Sequence, residues 1–88
     1  MRIRRSHNLG LEEARRRADK VAEYLARQYS LVSRWRGDYL VVEGNGVNGH
    51  LLVAADNIEM VVKLGLALKL MEGPIRSAIE ATLDEHLV

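Results

Sequence analysis

The chain has 88 residues, of which 48% are hydrophobic, and its formal net charge is +1. This length predicts one domain over residues 1–88, and the nearly balanced charge points to no particular charged partner. The absence of cysteine excludes a disulfide framework and a thiolate metal site. No apolar run is long enough to cross a bilayer, so we expect a cytoplasmic protein without a transmembrane segment.

The N-terminal part of the chain predicts a strand followed by a helix. Met1–His7 is short and rich in arginine, which is typical of an edge strand because charged side chains discourage pairing with other chains. From Gly10 onwards, apolar residues recur at three- and four-residue spacing and predict an amphipathic helix of about five turns. The apolar stripe consists of Leu11, Ala14, Ala18, Val21, Ala22, Leu25 and Tyr29. The sequence leaves open whether the strand pairs with the first or the last strand of the sheet that follows.

Three turn signals divide the middle of the chain into four β-prone runs. Asn-Gly and Gly-Asp pairs supply the positive φ angles that two-residue hairpin turns require. The signals are Gly37-Asp38, Asn45-Gly46 and Asp56-Asn57, and the runs are Leu31–Arg36, Tyr39–Gly44, Val47–Ala55 and Ile58–Leu64. The pattern predicts an antiparallel meander.

Two-residue turns also decide which side chains share a face of the sheet, because neighbouring side chains on a strand point to opposite faces. With residue 36 opposite 39, 44 opposite 47 and 55 opposite 58, one cross-strand row gathers on the inner face. That row is Trp35, Leu40, Leu51 and Val62. On the outer face, Tyr39, Leu52 and Val61 form a row with Val41 beside them. A contiguous exposed apolar patch usually has a partner, so we predict that these four outer residues form an interface.

The C-terminal part predicts helix, although its start is ambiguous. Residues 64, 66, 68 and 70 are leucines that alternate as in a strand, whereas Leu66–Glu72 is rich in strong helix formers. We predict a helical region from about Leu66, interrupted at Gly73-Pro74, with the proline at the first helical position. We expect its leucines to complete the core rather than to adhere to a lipid or polymer surface, because a small sheet needs a covering helix.

The predicted fold class is therefore α+β. It consists of an antiparallel β-meander of four to five strands with two helices packed on one face, in the order β-α-β-β-β-β-α.

No group of residues suits catalysis or a bound cofactor. His7, His50 and His86 fall in different predicted elements and lack the spacing of metal ligands. Neighbouring helical carboxylates point in different directions, and no serine stands in a nucleophile motif. The glycines of residues 44–49 fit a hairpin, since the lysine and the helix of a phosphate-binding loop are missing. We therefore expect a protein that is not an enzyme and that binds no metal and no cofactor.

The arginine-rich N terminus supplies an alternative hypothesis. A basic start followed by helix, meander and helix is similar to double-stranded-RNA-binding folds, which contact the nucleic-acid backbone through basic side chains. The candidate basic patch is Arg2, Arg4, Arg5, Arg15 and Arg16. Acidic residues interleave with the helical arginines, whereas a nucleic-acid footprint normally gives a basic face. Nucleic acid is therefore the less favoured partner.

Short motifs spread over nearly the whole chain resemble the polyhydroxyalkanoic acid system protein family. In chain order they are Ser6-His7-Asn8-Leu9 with Glu13-Ala14, Trp35-Arg36-Gly37-Asp38, Gly46-Val47-Asn48-Gly49, Val62-Lys63-Leu64-Gly65, and Ile75, Ile79 and Leu83-Asp84. The resemblance implies a small protein encoded beside genes for polyhydroxyalkanoate synthesis and granules. It supplies no catalytic residues for this chain, and His7 matches a family position without a known role.

The resemblance and the outer patch together give the functional hypothesis. It is a non-enzymatic accessory protein of polyhydroxyalkanoate metabolism, cytoplasmic and located at polyhydroxyalkanoate granules. It would act through contacts with another protein, with a second copy in a homodimer, or with the granule surface. A small RNA-binding module that uses the N-terminal arginines is the alternative, and hydrolysis of polymer or acyl substrates is the least favoured function.

Overall fold

The computed structural model describes residues 1–87 and confirms the α+β class. The elements in chain order are β1 (Arg2–Ser6), α1 (Leu11–Tyr29), β2 (Val32–Arg36), β3 (Tyr39–Gly44), β4 (Val47–Val53), β5 (Asn57–Leu64), α2 (Leu66–Lys69) and α3 (Glu72–His86). The five strands form one sheet in the spatial order β1-β5-β4-β3-β2, and every neighbouring pair is antiparallel.

The first two hairpins have the predicted two-residue turns. Arg36 pairs with Tyr39 across the first turn, and Gly44 pairs with Val47 across the second. In the second turn Asn45 has a φ of 48° and the following glycine a φ of 81°. Two consecutive positive φ angles match the right-handed twist of the flanking strands, and Asn-Gly adopts them at little cost.

The third hairpin differs from the prediction by one turn position. Ala54 donates its backbone N–H to the carbonyl oxygen of Asn57 at 2.9 Å, so residues 55 and 56 form the turn instead of residues 56 and 57. As a result β5 is displaced by two residues along β4, and Leu51 lies opposite Met60 rather than Val62. Because a two-residue shift returns each side chain to its original face, the predicted faces are correct although the register is wrong.

Helices α1 and α3 supply the apolar cover of the inner face. On α1 the buried stripe includes three alanines, whose small side chains let the helix approach the strands closely. On α3 the buried side chains include Ile75, Ile79 and Leu83. The buried strand residues are Ile3, Leu40, Val42, Leu51, Val53, Ile58, Met60 and Val62. All of them lie on the face that the meander pattern assigned to the core.

Trp35 lies at the edge of this inner face and joins β2 to α1. Its Nε1–H donates a hydrogen bond to the Oδ1 atom of Asp19 at 2.7 Å. The guanidinium of Arg15 lies over the indole ring, 4.2 Å from its centroid, which is the geometry of a cation–π contact.

Strand β1 pairs with β5, the last strand of the meander, which answers the question that the sequence left open. The chain then turns at His7, whose side chain is buried. The Nε2 atom of His7 lies 3.0 Å from the carbonyl oxygen of Ala54, and its Nδ1 atom accepts the backbone N–H of Leu9 at 3.1 Å. The imidazole of His7 therefore holds the β1–α1 turn through Leu9 and joins it to the β4–β5 turn through Ala54.

The C-terminal region begins as a helix at Leu66, as predicted, but its interruption lies earlier than Gly73-Pro74. Helix α2 ends at Lys69, and α3 starts at Glu72, so the break falls at residues 70 and 71. Pro74 is the third residue of α3 rather than the first. Proline is tolerated there because the N–H groups of the first turn have no acceptor within the helix.

Candidate functional site

The outer face of the sheet is open to solvent, since the described helices pack on the inner face. Tyr39 lies directly opposite Leu52, and these side chains are 45% and 37% exposed. Val41 and Val61 are half-buried and flank His50 in the adjacent cross-strand row. The structure thus brings all four predicted interface residues together. Val61 lies in the row of Val41 instead of the row of Leu52, because of the shifted third hairpin.

A shallow depression on this face has an apolar centre and basic sides. The rings of Tyr39 and His50 meet edge to face, with their centroids 5.2 Å apart. Arg36 and Lys63 line the same depression. Among the described strands, the charged side chains of the outer face are Arg2, Arg4, Arg34, Arg36 and Lys63, opposed by Glu43 and Glu59. Five positive and two negative charges leave this face with a net charge of +3 when its histidine is neutral.

The five arginines of the candidate basic patch lie on three different parts of the surface. Arg2 and Arg4 point to the outer face of the sheet, because Ile3 between them is buried on the inner face. Arg5 reaches from the edge of the inner face to α3, and Arg15 and Arg16 lie on α1. The structure therefore does not gather them into one continuous surface.

Acidic neighbours also pair with most of these arginines. Arg5 donates through Nε to the Oδ1 atom of Asp84 at 2.7 Å, and this hydrogen bond raises the pKa of Arg5. Arg17 donates to Glu13 at 2.9 Å, and this bond, with the nearby charge of Arg16, lowers the pKa of Glu13. Further ion pairs join Arg2 to Glu59, Arg15 to Asp38 and Arg16 to Glu13. Pairing of this kind reduces the positive potential that a polyanion would meet.

A second exposed apolar surface lies at the turn between the sheet and α3, and we call Leu66, Leu70 and Met71 the apolar ridge. These side chains are 87%, 94% and 52% exposed. Residues four apart share one side of a helix, whereas a residue two positions away points to the other side. Leu68 accordingly packs against the core, while Leu66 and Leu70 point to solvent. The expectation that these leucines complete the core is correct for Leu68 and wrong for Leu66 and Leu70.

The histidines lie far apart in the fold and serve local contacts. His7 joins two turns, His50 packs on Tyr39, and the Nδ1 atom of His86 lies 2.9 Å from the carbonyl oxygen of Thr82. Over residues 1–87, no three histidine or carboxylate side chains converge as metal ligands. None of the helices in this part of the chain has the length and apolar character to span a membrane. The described residues thus form two exposed apolar surfaces, the outer face of the sheet and the apolar ridge.

The sequence comparison assigns this α+β chain to a family. Residues 1–87 match the model of the family described as "Putative polyhydroxyalkanoic acid system protein". The chain belongs to this family, which confirms the resemblance carried by its short motifs. No curated protein and no solved structure matches the chain.

Proposed function

We propose that this protein is a non-enzymatic accessory protein of a polyhydroxyalkanoate system and that its apolar ridge contacts the granule surface. The observation that carries the proposal is the almost complete exposure of Leu66, the first residue of α2, and of Leu70, which follows its last residue. Isolated exposed leucines are common on soluble proteins, but adjacent ones form a patch that favours an apolar contact. The family supplies the biological context in which a polymer granule is the apolar phase.

The size of the ridge fits reversible adsorption rather than permanent anchoring. Transferring one exposed leucine side chain to an apolar environment stabilises by about 1.5–3 kcal/mol, so two leucines contribute about 3–6 kcal/mol before the cost of association. Lys69, the last residue of α2, lies between these two leucines in the sequence, and it can keep its ammonium group in water while its methylenes lie against an apolar surface. A contact of this size would let the protein exchange between granule and solution.

The outer face of the sheet is the proposed contact for a protein partner or a second copy. Its apolar centre of Tyr39, Val41, Leu52 and Val61 is surrounded by a net positive charge. Aromatic and apolar side chains at the centre of a patch with charges around it are typical of protein interfaces. The charge favours a partner whose own surface is acidic around an apolar centre.

Granule sedimentation tests the ridge. The double variant Leu66→Ser/Leu70→Ser removes about 3 kcal/mol of transfer free energy or more, and therefore weakens binding to purified polyhydroxyalkanoate granules by about 100-fold. The matched control is Tyr39→Ser/Leu52→Ser, which removes two exposed apolar side chains from the outer face. We expect the control to sediment with granules like the wild type. Equal binding by all three proteins, or loss in the control alone, would contradict the role of the ridge.

Light scattering tests the outer face separately. If this face mediates self-association, Leu52→Glu shifts the protein from dimer to monomer, because it places a carboxylate in an apolar contact. If the wild type is monomeric, the same variant is tested for capture of an acidic protein partner from granule fractions. If the wild type and the Leu52→Glu variant are both monomeric and bind the same granule proteins, the outer face is not a contact surface.

RNA binding through the N-terminal arginines is less well supported. The arginines are divided between the outer sheet face, the sheet edge and α1, and acidic partners neutralise several of them. We therefore place granule and protein contacts ahead of nucleic acid as the function of this chain.

A further inference from the structure

A cavity of about 270 Å³ lies between the sheet and the helices. Val42, Met60 and Val62 of the sheet line it on one side, and Leu25 of α1 and Ile79 of α3 line it on the others. Its wall presents no polar surface. The cavity is partly enclosed and lies under α2, on the side of that helix opposite the exposed Leu66 and Leu70.

The chemistry of the wall excludes water and favours hydrocarbon. A buried water molecule needs about two to four polar partners, which this wall does not offer. An apolar cavity of about 150 Å³ in another protein stays dry and binds benzene, a six-carbon ligand. By proportion, the cavity of about 270 Å³ accommodates about ten to eleven carbon atoms. Its size is that of one medium-length alkyl chain.

The cavity also has a cover that can move without unfolding the sheet. Leu68 and Met71 line it from the segment around α2. Helix α2 has only four residues and no side-chain hydrogen bond at its N-cap, Gly65. One backbone hydrogen bond, from the N–H of Gly65 to the carbonyl oxygen of Gly46 at 2.7 Å, and the packing of Leu68 hold this segment against the sheet. A short segment with few anchoring contacts opens at lower free-energy cost than the core strands.

We propose that this cavity binds the unbranched alkyl chain of a medium-chain carboxylic acid, with the carboxylate remaining at the surface beside α2. The apolar wall accepts the chain, and the absence of a buried polar partner requires the carboxylate to stay in water. This role is separate from adsorption to a granule, because it takes one small molecule from solution.

A chain-length series tests the proposal with the full protein. Straight-chain carboxylates from butanoate to dodecanoate are titrated below their micelle concentrations, and methyl resonances are followed by NMR. The methyl groups of Val42, Met60 and Val62 shift on binding. Affinity rises about fourfold with each added methylene, the equivalent of burying one CH₂, and levels off near ten to eleven carbons.

Two substitutions on the same helix locate the binding site. Leu68→Trp fills the cavity and lowers octanoate affinity at least tenfold, whereas Leu66→Trp adds the same side chain on the solvent side and leaves the affinity unchanged. Equal affinity in both variants would overturn the proposal. So would shifts confined to the methyl groups of Leu66 and Leu70, or no shift with any chain length in the wild type, a result that does not depend on whether a variant folds. Because no granule is present, failure here leaves the granule contact of the ridge standing.

Discussion

Leu51 and Leu52 are neighbours on β4 with opposite environments, and replacing each by alanine tests which face of the sheet is covered. Leu51 is 0% exposed beneath the helices, whereas Leu52 is 37% exposed on the outer face. Truncating a fully buried leucine costs about 2–5 kcal/mol, because it removes apolar transfer free energy and leaves a cavity. Truncating a half-exposed leucine that leaves no cavity costs about 1 kcal/mol or less.

These magnitudes are large relative to the stability of so small a protein. At about 0.05–0.15 kcal/mol per residue, a chain of this length has a free energy of unfolding of about 4–13 kcal/mol. Leu51→Ala therefore removes a substantial fraction of the stability. With a urea m-value of about 1–3 kcal/mol/M, its unfolding midpoint falls by about 1 M or more, while that of Leu52→Ala moves little.

The assay is urea unfolding followed by the fluorescence of Trp35, the single tryptophan of the chain. Each variant is measured at two protein concentrations, since association through the outer face makes the midpoint concentration-dependent. The expected order of stability is wild type, then Leu52→Ala, then Leu51→Ala by a wide margin. Equal losses at low protein concentration would refute the reasoning, because they would mean that both faces are buried within one chain.

Three further predictions follow from other parts of the fold. A Cβ atom at residue 49 would lie 2.9 Å from the backbone oxygen of Val61, whereas one at residue 73 meets nothing within 4 Å. Gly49→Ala therefore lowers the free energy of unfolding by about 1–3 kcal/mol, and Gly73→Ala does not. Thermal melts in the reverse order would be inconsistent with the packing of β4. The lowered pKa of Glu13 means that its carboxylate stabilises the fold at pH values above its ordinary pKa and loses that effect as the pH falls through the lowered pKa. The difference in free energy of unfolding between wild type and Glu13→Gln is therefore present at neutral pH and disappears in acid. A difference that grows in acid would contradict the pairing of Glu13 with Arg17. We expect no binding of duplex RNA at about 50 mM salt, because acidic partners neutralise most of the N-terminal arginines. A mobility shift that salt suppresses and Arg15→Gln weakens would reverse this conclusion.

The sequence was sufficient for the faces of the sheet but not for its complete register. Asn-Gly and Gly-Asp have strong backbone preferences, so the first two turns could be located to the residue. Asp-Asn has a weaker preference, and the third turn formed one position earlier, at residues 55 and 56. Local turn chemistry did not distinguish two registers that differ by two residues and bury the same face.

For the leucines of the ridge, the sequence pattern favoured a core position over adhesion to a lipid or polymer surface, whereas the structure shows Leu66 and Leu70 exposed. The leucines that alternate from residue 64 to residue 70 fit either a strand or a helix. Because these leucines were expected in the core, none of them was predicted to be exposed. The signal that could have located the ridge is the four-residue spacing of Leu66 and Leu70 around Leu68, once helix is assumed. Whether the outer side of so short a helix is covered depends on the direction in which α3 continues. That direction cannot be predicted from the sequence of α2 alone.

We propose above all that the apolar ridge, and not the outer face, contacts the polyhydroxyalkanoate granule. Because the chain contains no cysteine, Leu70→Cys and Leu52→Cys can each be labelled at one position with a polarity-sensitive fluorophore. When purified granules are added, we expect emission from residue 70 to shift to the blue and emission from residue 52 to stay unchanged. A blue shift at residue 52 with none at residue 70 would contradict this proposal.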